Sequence, residues 1–386
     1  MIKLLTIVGA RPQIIKAAAL SRAIRNHFAS EMQELILHTG QHYDLNMSQV
    51  FFDELGIPAP DLNLNVGSGS HGQQTALMIK GIEDQLITTR PDFTILYGDT
   101  NSTLAGAIAA SKTGVDVVHI EAGLRSFNKM MPEEINRIAC DHVSTLLFTP
   151  TATGYKNLLR EGFPENSQQP FTIDNPGLFH CGDVMFDNSL YFAFLAEKTS
   201  DILQRNGLKE NDFVLVTIHR DTNTDDRKRL NAIFEVLLQL AKEHEITFFL
   251  PLHPRTRKMM MEVLPLTLYV EIHASPYLKI AEPVSFLDMI LLEKNTRLVI
   301  TDSGGVQKEA WFFEKPSIIL RPQTEWVEIV ENKAGVLADA DPAKIAAAFK
   351  HFIHSEKINF PPLFGDGRAA EFICRKIIET YKHKNK

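Results

Sequence analysis

The sequence predicts an α/β protein with two parallel, helix-covered sheets, one in each half of the chain. Three observations carry that expectation. Apolar runs of strand length alternate with amphipathic runs of helix length. The alternation starts afresh in the second half. Charged and glycine-containing motifs follow the apolar runs directly, at the strand ends where parallel sheets bind their ligands.

In the first half the expected strands are Lys3–Val8, Glu34–His38, Asp92–Tyr97, Asp116–Ile120 and Thr145–Thr149. Expected helices between them are Gln13–Phe28, Gln73–Thr89, Ser102–Thr113 and Glu134–Val143. The second half offers strands Phe213–Thr217, Thr247–Leu250, Leu268–Ile272, Arg297–Ile300 and Ser317–Leu320. Its helices are Asp226–Glu243, Phe286–Leu292, Val306–Phe313 and Pro342–His354, and a last helix, Arg368–Tyr381, follows FGDG. This order describes two Rossmann-like domains. The stretch 166–187 is rich in Pro, Gly, Gln and Asn and is the expected link between them. The expected domains are 1–180, 181–367 and a terminal helix over 368–386.

Composition excludes several classes of function. With 44% hydrophobic and 23% charged residues, the chain of 386 residues has the balance of a globular protein. A formal net charge of −7 gives no electrostatic support to nucleic-acid binding. The basic end Lys382–Lys386 is short and is expected to fray. Three cysteines, Cys140, Cys181 and Cys374, form no C-x-x-C pair, so neither a zinc site nor a disulfide framework is indicated. No leader of signal-peptide type and no apolar run of about 18 residues is present, and a cytoplasmic protein is expected.

The strongest chemical signal lies between Tyr97 and Arg137. Asp99 follows one strand and Glu121 the next, with Glu133 a little downstream. Carboxylates at two strand ends that converge on one crevice suit proton transfer. Each also has a plainer explanation: Asp99 stands where it would cap the next helix, and Glu133 complements a helix dipole after Pro132. Glu121, before Ala-Gly-Leu-Arg, is harder to explain as a cap. At the first strand end, Gly9-Ala-Arg-Pro12 opens a helix, and Arg11 with Lys16 would add charge to an anion site there.

In the second half, Thr301-Asp-Ser-Gly-Gly305 opens a helix. Ser303 is the expected N-cap, while Gly304 and Gly305 permit close backbone approach to a phosphate. Glu309, one turn on, would accept from ribose hydroxyls. His219 follows a strand as Asp99 does in the first half, and His253 and Arg255 follow another. His38 and His42 are equally well explained as structural. Gly67-Ser-Gly-Ser-His-Gly72 matches G-x-G-x-x-G by letter. It lacks the preceding first strand and the distal acid of a dinucleotide site, and is expected to be a loop.

Taken in order, GARPQ, YGDTNSTLAGA, HIEAGLRSFN, MPEEINR, TIHR, LHPRTR, TDSGGVQKEA and the late GDG resemble the non-hydrolysing UDP-N-acetylglucosamine 2-epimerase family over nearly the whole chain. That resemblance implies a glycosyltransferase B type fold: two Rossmann-like domains with a central cleft, the last helix crossing back to the first domain. It implies a homodimer with neither metal nor cofactor. It implies inversion at C2 of a UDP-linked N-acetylhexosamine by elimination of UDP to a 2-acetamidoglucal, followed by re-addition. Asp99, Glu121 and Glu133 match the family's catalytic acids, and His219 would hold or protonate the leaving group. Arg137 would orient Glu133 or the sugar. Arg11, Lys16, His253, Arg255, Ser303, Gly304, Gly305, Glu309 and Arg321 would bind substrate.

One departure bears on the sugar. Thr324-Glu-Trp-Val-Glu328, preceded by Arg321, stands where the UDP-N-acetylglucosamine enzymes usually carry Thr-Glu-Arg-Pro-Glu, and Ser126-Phe-Asn128 precedes MMPEEINR. Both resemble the branch acting on UDP-2,3-diacetamido-2,3-dideoxy-glucuronate in O-antigen synthesis. A uronate would want another cation, for which Arg125 and Lys129 are candidates. A B-type glycosyltransferase, a hydrolysing epimerase and a non-catalytic nucleotide-sugar sensor stay open as alternatives on the residues alone.

Overall fold

The computed structural model describes residues 1–40, 59–355 and 357–385, and divides the chain into two compact units. Unit 1 comprises Met1–Asn188 with Pro362–Lys386, and unit 2 comprises Ser189–Pro361. His42 lies outside the described residues.

In unit 1, β1 (Ile2–Val8), β2 (Met32–His38), β3 (Leu62–Asn63), β4 (Phe93–Tyr97), β5 (Asp116–Ile120), β6 (Leu146–Thr149) and β7 (Gly177–His180) form one sheet. Its order is β3-β2-β1-β4-β5-β6-β7, and every pairing is parallel. Helices α1 (Arg11–Ala23), α2 (His71–Thr89), α3 (Asn101–Thr113), α4 (Pro132–His142), α5 (Ala152–Arg160) and α6 (Val184–Thr199) alternate with the strands. The β4 and β5 runs are almost wholly buried, the pattern of central parallel strands covered on both faces. Leu5, Ile7, Leu37, Met78, Ile82 and Leu96 belong to the core against α2 and α3.

Unit 2 repeats the plan. Strands β8 (Phe213–Thr217), β9 (Thr247–Pro251), β10 (Leu278–Ala281), β11 (Leu298–Thr301), β12 (Ser317–Ile319) and β13 (Gly335–Leu337) pair in parallel in the order β10-β9-β8-β11-β12-β13. Its helices include α7 (Arg227–His244), α8 (Pro254–Val263), α9 (Leu266–Ala274), α10 (Phe286–Asn295), α11 (Gly304–Phe312) and α12 (Pro342–His354). Asp226 starts α7 by accepting the Lys228 and Arg229 N–H groups at 2.8 and 3.2 Å. Leu230, Phe234, Leu237 and Ala241 then recur at helical spacing and are buried.

In each sheet the strand order reverses direction beside the first strand, between β1 and β4 and between β8 and β11. Ligands bind at such switch points. Arg11 and Asp99 follow the two strands flanking one; His219 and Ser303 follow those flanking the other.

Four expectations change. Leu268–Ile272 is not a strand but lies inside α9. Its buried residues Leu268 and Ile272 are four apart, while Leu266 and Val270 are exposed. The helical period outweighs the β-favouring composition, and the neighbouring strand is β10. The stretch 166–187 holds edge strand β7 and the start of α6, so its Pro and Asn mark turns within unit 1. The boundary after Asn188 falls inside α6, and residues 181–188 and 362–367 lie in unit 1. The basic end is helical to Lys384 in α13 (Ala369–Lys384), where Lys382 meets Glu31 at 2.9 Å and Lys384 meets Asp116 at 2.7 Å. This helix packs on α1 of unit 1.

Candidate active site

Glu121 stands one residue past β5 in the left-handed region, with φ +73°. That is an uncommon conformation for a residue with a Cβ, and it marks a constrained turn. The Glu121 and Ala122 N–H groups both donate to the Phe148 carbonyl at 3.0 Å, which holds the turn against β6. Glu121 itself is nearly buried, and its carboxylate pairs with the Lys16 ammonium from α1. Burial opposes the Lys16 charge, but Glu121 and then Asp99 offset it, and the amine is held above its usual value. Lys16, expected to add charge to an anion site, is paired in this structure with Glu121.

Gly98 lets these groups meet. Its φ is +61°, and a Cβ there would lie 3.1 Å from Glu121 Oε2 and 3.4 Å from Lys16 Nζ. Asp99 is half-buried and does not cap the next helix. That role falls to Thr100, which accepts the Thr103 N–H. The Asp99 carboxylate instead takes the Arg137 guanidinium from α4. Asn136 Nδ2 donates to the Asp99 carbonyl at 2.9 Å.

Arg137 also donates to Glu134 at 3.0 Å. The structure thus places Arg137 on Asp99 and Glu134, not on Glu133. Glu133, in the first turn of α4, is exposed. Glu134 accepts the Ser126 N–H at 2.9 Å, the Ser126 hydroxyl at 3.0 Å and the Phe127 N–H at 2.9 Å. Burial works against its charge, but these donors and Arg137 prevail and hold the carboxyl below the usual carboxylate range. It anchors the segment Ser126–Met131, where Phe127 and Met130 are exposed. Sequence reasoning passed over Glu134 because helical phase, not residue type, decides which of two adjacent acids turns inward.

Arg125 was a candidate cation for a uronate. Its side chain is 1% exposed and bridges Asp141 and Glu161, each at 2.7 Å, so it is a buried structural group. Lys129 is exposed. Arg11 is also exposed, at the start of α1.

In unit 2, Asp302 is the organising residue, and it was not singled out from the sequence. Fully buried between β11 and α11, it accepts the His219 N–H at 3.1 Å, the Arg220 N–H at 3.1 Å and the Asn223 amide at 3.1 Å. His219 Nδ1 lies 3.2 Å from Asp302 Oδ1, and the ring is half exposed. Burial would raise this carboxyl, but His219 and Asn223 outweigh that and lower it. Ser303 caps α11, accepting the Val306 N–H at 3.4 Å. A Cβ at Gly304 would displace the Glu325 carboxylate, and Gly305 is exposed. Glu309 follows on the next turn of α11.

The remaining candidates have protein partners. His253 caps α8 by accepting the Arg255 N–H at 3.3 Å. Arg255 is paired with Asp221 and Asp225, and Arg321 meets Glu325 at 2.8 Å. An incoming anion therefore has to compete with carboxylates at both guanidiniums. Among the described residues no group of three side chains has the make-up of a metal site, and no helix is long and apolar enough to cross a membrane.

Comparison with known proteins agrees with these motifs. The family model described as UDP-N-acetylglucosamine 2-epimerase matches residues 23–378. A UDP-N-acetylglucosamine 2-epimerase homolog of Methanococcus maripaludis is 45% identical over 383 residues, covering 99% of each chain. The UDP-2,3-diacetamido-2,3-dideoxy-D-glucuronate 2-epimerase of Pseudomonas aeruginosa is 45% identical over 375 residues, 97% of this chain and 99% of that one. The solved structure of Methanocaldococcus jannaschii UDP-GlcNAc 2-epimerase in complex with UDP-GlcNAc and UDP is 40% identical, with a TM-score of 0.79 over 98% of this chain and all of that one. With its two parallel sheets and these full-length matches, the chain belongs to the UDP-N-acetylglucosamine 2-epimerase family, epimerases of the glycosyltransferase B fold type.

Proposed function

We propose that this epimerase inverts C2 of a UDP-linked N-acetylhexosamine by eliminating and re-adding UDP. The observation that carries the reading is the pair of carboxylates on adjacent strand tips, Asp99 and Glu121, with Lys16 paired to Glu121. A C2 proton with no neighbouring carbonyl is hard to remove alone. A carboxylate takes the proton as the C1–O bond breaks. The C–H electron pair becomes the C1=C2 bond, and the C1–O pair leaves with UDP. UDP oxygen then attacks C1 while C2 takes a proton on its opposite face. Two faces need more than one proton carrier, a part suited to Asp99, Glu121 and the exposed Glu133.

Unit 2 supplies the complement. The departing diphosphate gains charge as it leaves, and preorganised donors stabilise it most in the transition state. The α11 N-terminus at Ser303–Gly305 and the His219 ring held by Asp302 are such donors, and Glu309 accepts from ribose hydroxyls. Arg11, Arg137, His253, Arg255 and Arg321 complete the proposed substrate contacts, the last two by exchanging carboxylate partners for phosphate.

The relative from P. aeruginosa and the Trp326–Val327 departure favour UDP-2,3-diacetamido-2,3-dideoxy-glucuronate as donor. Lys129 is then the cation for the uronate, since Arg125 is buried in its own ion pairs. A homodimer and a cytoplasmic location go with this reading. Each donor is incubated separately with the wild-type protein, and the C2 epimer is followed by proton NMR. Faster inversion of the diacetamido-uronate supports the branch assignment. Inversion of UDP-N-acetylglucosamine alone removes it, and inversion of neither removes the epimerase reading.

A further inference from the structure

His119 lies in the middle of the catalytic segment, yet nothing in the proposed chemistry uses it. It is the fourth residue of β5 and is fully buried. Both ring nitrogens face acceptors. Nδ1 lies 2.6 Å from Asp141 Oδ1, and Nε2 lies 2.8 Å from the Gly98 carbonyl oxygen. A neutral imidazole carries one N–H and one lone pair. Either tautomer would turn a lone pair on an oxygen acceptor inside the core. With Asp141 ionised beside Arg125, only the ring with both protons satisfies both contacts.

The two bonds reach the two acids by short routes. Gly98 immediately precedes Asp99, and its left-handed turn leaves room for the Glu121–Lys16 pair. Asp141 also accepts the Gly123 N–H at 3.2 Å, two residues after Glu121. Its second oxygen takes Arg125 at 2.7 Å, and Arg125 in turn holds Glu161. One buried histidine therefore links the backbone before Asp99 to the backbone after Glu121.

We infer that His119 is a positioning residue, held as an imidazolium between Asp141 and the Gly98 carbonyl, that fixes the strand-tip turns carrying Asp99 and Glu121. The inference rests on the proposed acid–base role of those two residues. Charged and titratable groups around the ring agree with it. Burial opposes the charge, while Cys140 and Asp141 on α4 favour it, and the ring is held well above its ordinary value. Asp141 stays ionised: burial opposes it, but His119 and Arg125 lower it. Lys16, on the far side of Gly98, is already balanced by Glu121. An imidazolium donates a stronger bond to the Gly98 carbonyl than a neutral ring would.

The test uses the full-length protein with 15N-labelled histidine, the His119 signals being those lost in His119→Gln. Both ring nitrogens are expected at protonated shifts, without titration between about pH 6 and 9, where an ordinary histidine loses its proton. A neutral-tautomer pattern, or a ring titrating in that window, overturns the inference. The companion measurement separates positioning from general damage. His119→Asn is expected to lose roughly tenfold or more in kcat, and His119→Gln, whose longer side chain carries an amide N–H towards the position of Nε2 and the Gly98 carbonyl, less. Both should bind UDP within about twofold of wild type, because the proposed UDP contacts lie mainly in unit 2. Wild-type kcat in His119→Asn, or UDP affinity falling in step with kcat, also overturns it. A wild type that inverts neither donor sinks the epimerase reading instead, and the ring spectrum still decides the protonation state.

Discussion

Gly98, Lys16 and Glu121 act as one device, and each residue's tolerance follows from the other two. Gly98→Ala brings both a left-handed φ penalty and a methyl 3.1 Å from the Glu121 carboxylate. We expect a loss of roughly tenfold or more in kcat, with a melting temperature only a few degrees lower. Unchanged kcat would show that the ion pair's placement is not critical. Glu121→Gln and Asp99→Asn each remove a proposed proton carrier while keeping the shape. Each is expected to lose at least roughly 100-fold in turnover. Near-wild-type rates in both variants would strip these acids of the role. The residue types at these points were legible in the sequence, because both acids directly follow buried strands and Glu121 has no helix to cap. Their partners were not. Arg137 was read as a partner for Glu133 or the sugar, and only the phase of α4 reveals that it meets Asp99 and Glu134. Asp302 and His119 were missed for a related reason: a buried polar residue announces itself by its surroundings, and a linear sequence does not show them.

Strands and helices position these groups by close approach of backbones. The turn after β5 runs against α5, where Gly123, at φ +76°, leaves no room for a Cβ beside the Gly154 carbonyl. Gly123→Ala is therefore expected to destabilise the protein by about 2 kcal/mol or more, measured by urea unfolding. A change below about 0.5 kcal/mol would mean the turn has room that the geometry denies it. Central strands such as β4, β5, β8 and β11 were plain in the sequence, since fully buried parallel strands are continuous apolar runs. Edge strands were not. The two residues of β3, and β7 in its Pro- and Asn-rich setting, carry too little apolar length to register. In α9 a β-favouring composition concealed a helical period of buried Leu268 and Ile272.

At the scale of the molecule, two sheets of the same plan divide the proposed chemistry: the proposed proton carriers belong to one unit, and the proposed anion-binding turn and ribose acceptor to the other. Stability of the whole has a pH dependence that does not come from the catalytic acids. His38, buried at the end of β2, accepts the Gly40 N–H at 2.9 Å, and burial lowers it from 6.5 to about 4. Below about pH 6.5 the unfolded chain gains a proton that the native state refuses. Stability present above that pH is therefore lost as pH falls towards 4, by up to roughly 3 kcal/mol. Denaturant unfolding across this range should show the slope in wild type and a flatter profile in His38→Asn; equal slopes would remove His38 as the cause. The central claim, proton removal and return at C2 coupled to loss of UDP, is tested most directly by running wild type on its UDP-sugar donor in heavy water. The account predicts one deuterium at C2 of the recovered UDP-sugars, with UDP and the glycal as the species between the two epimers. Inverted product that keeps its original C2 hydrogen would contradict it.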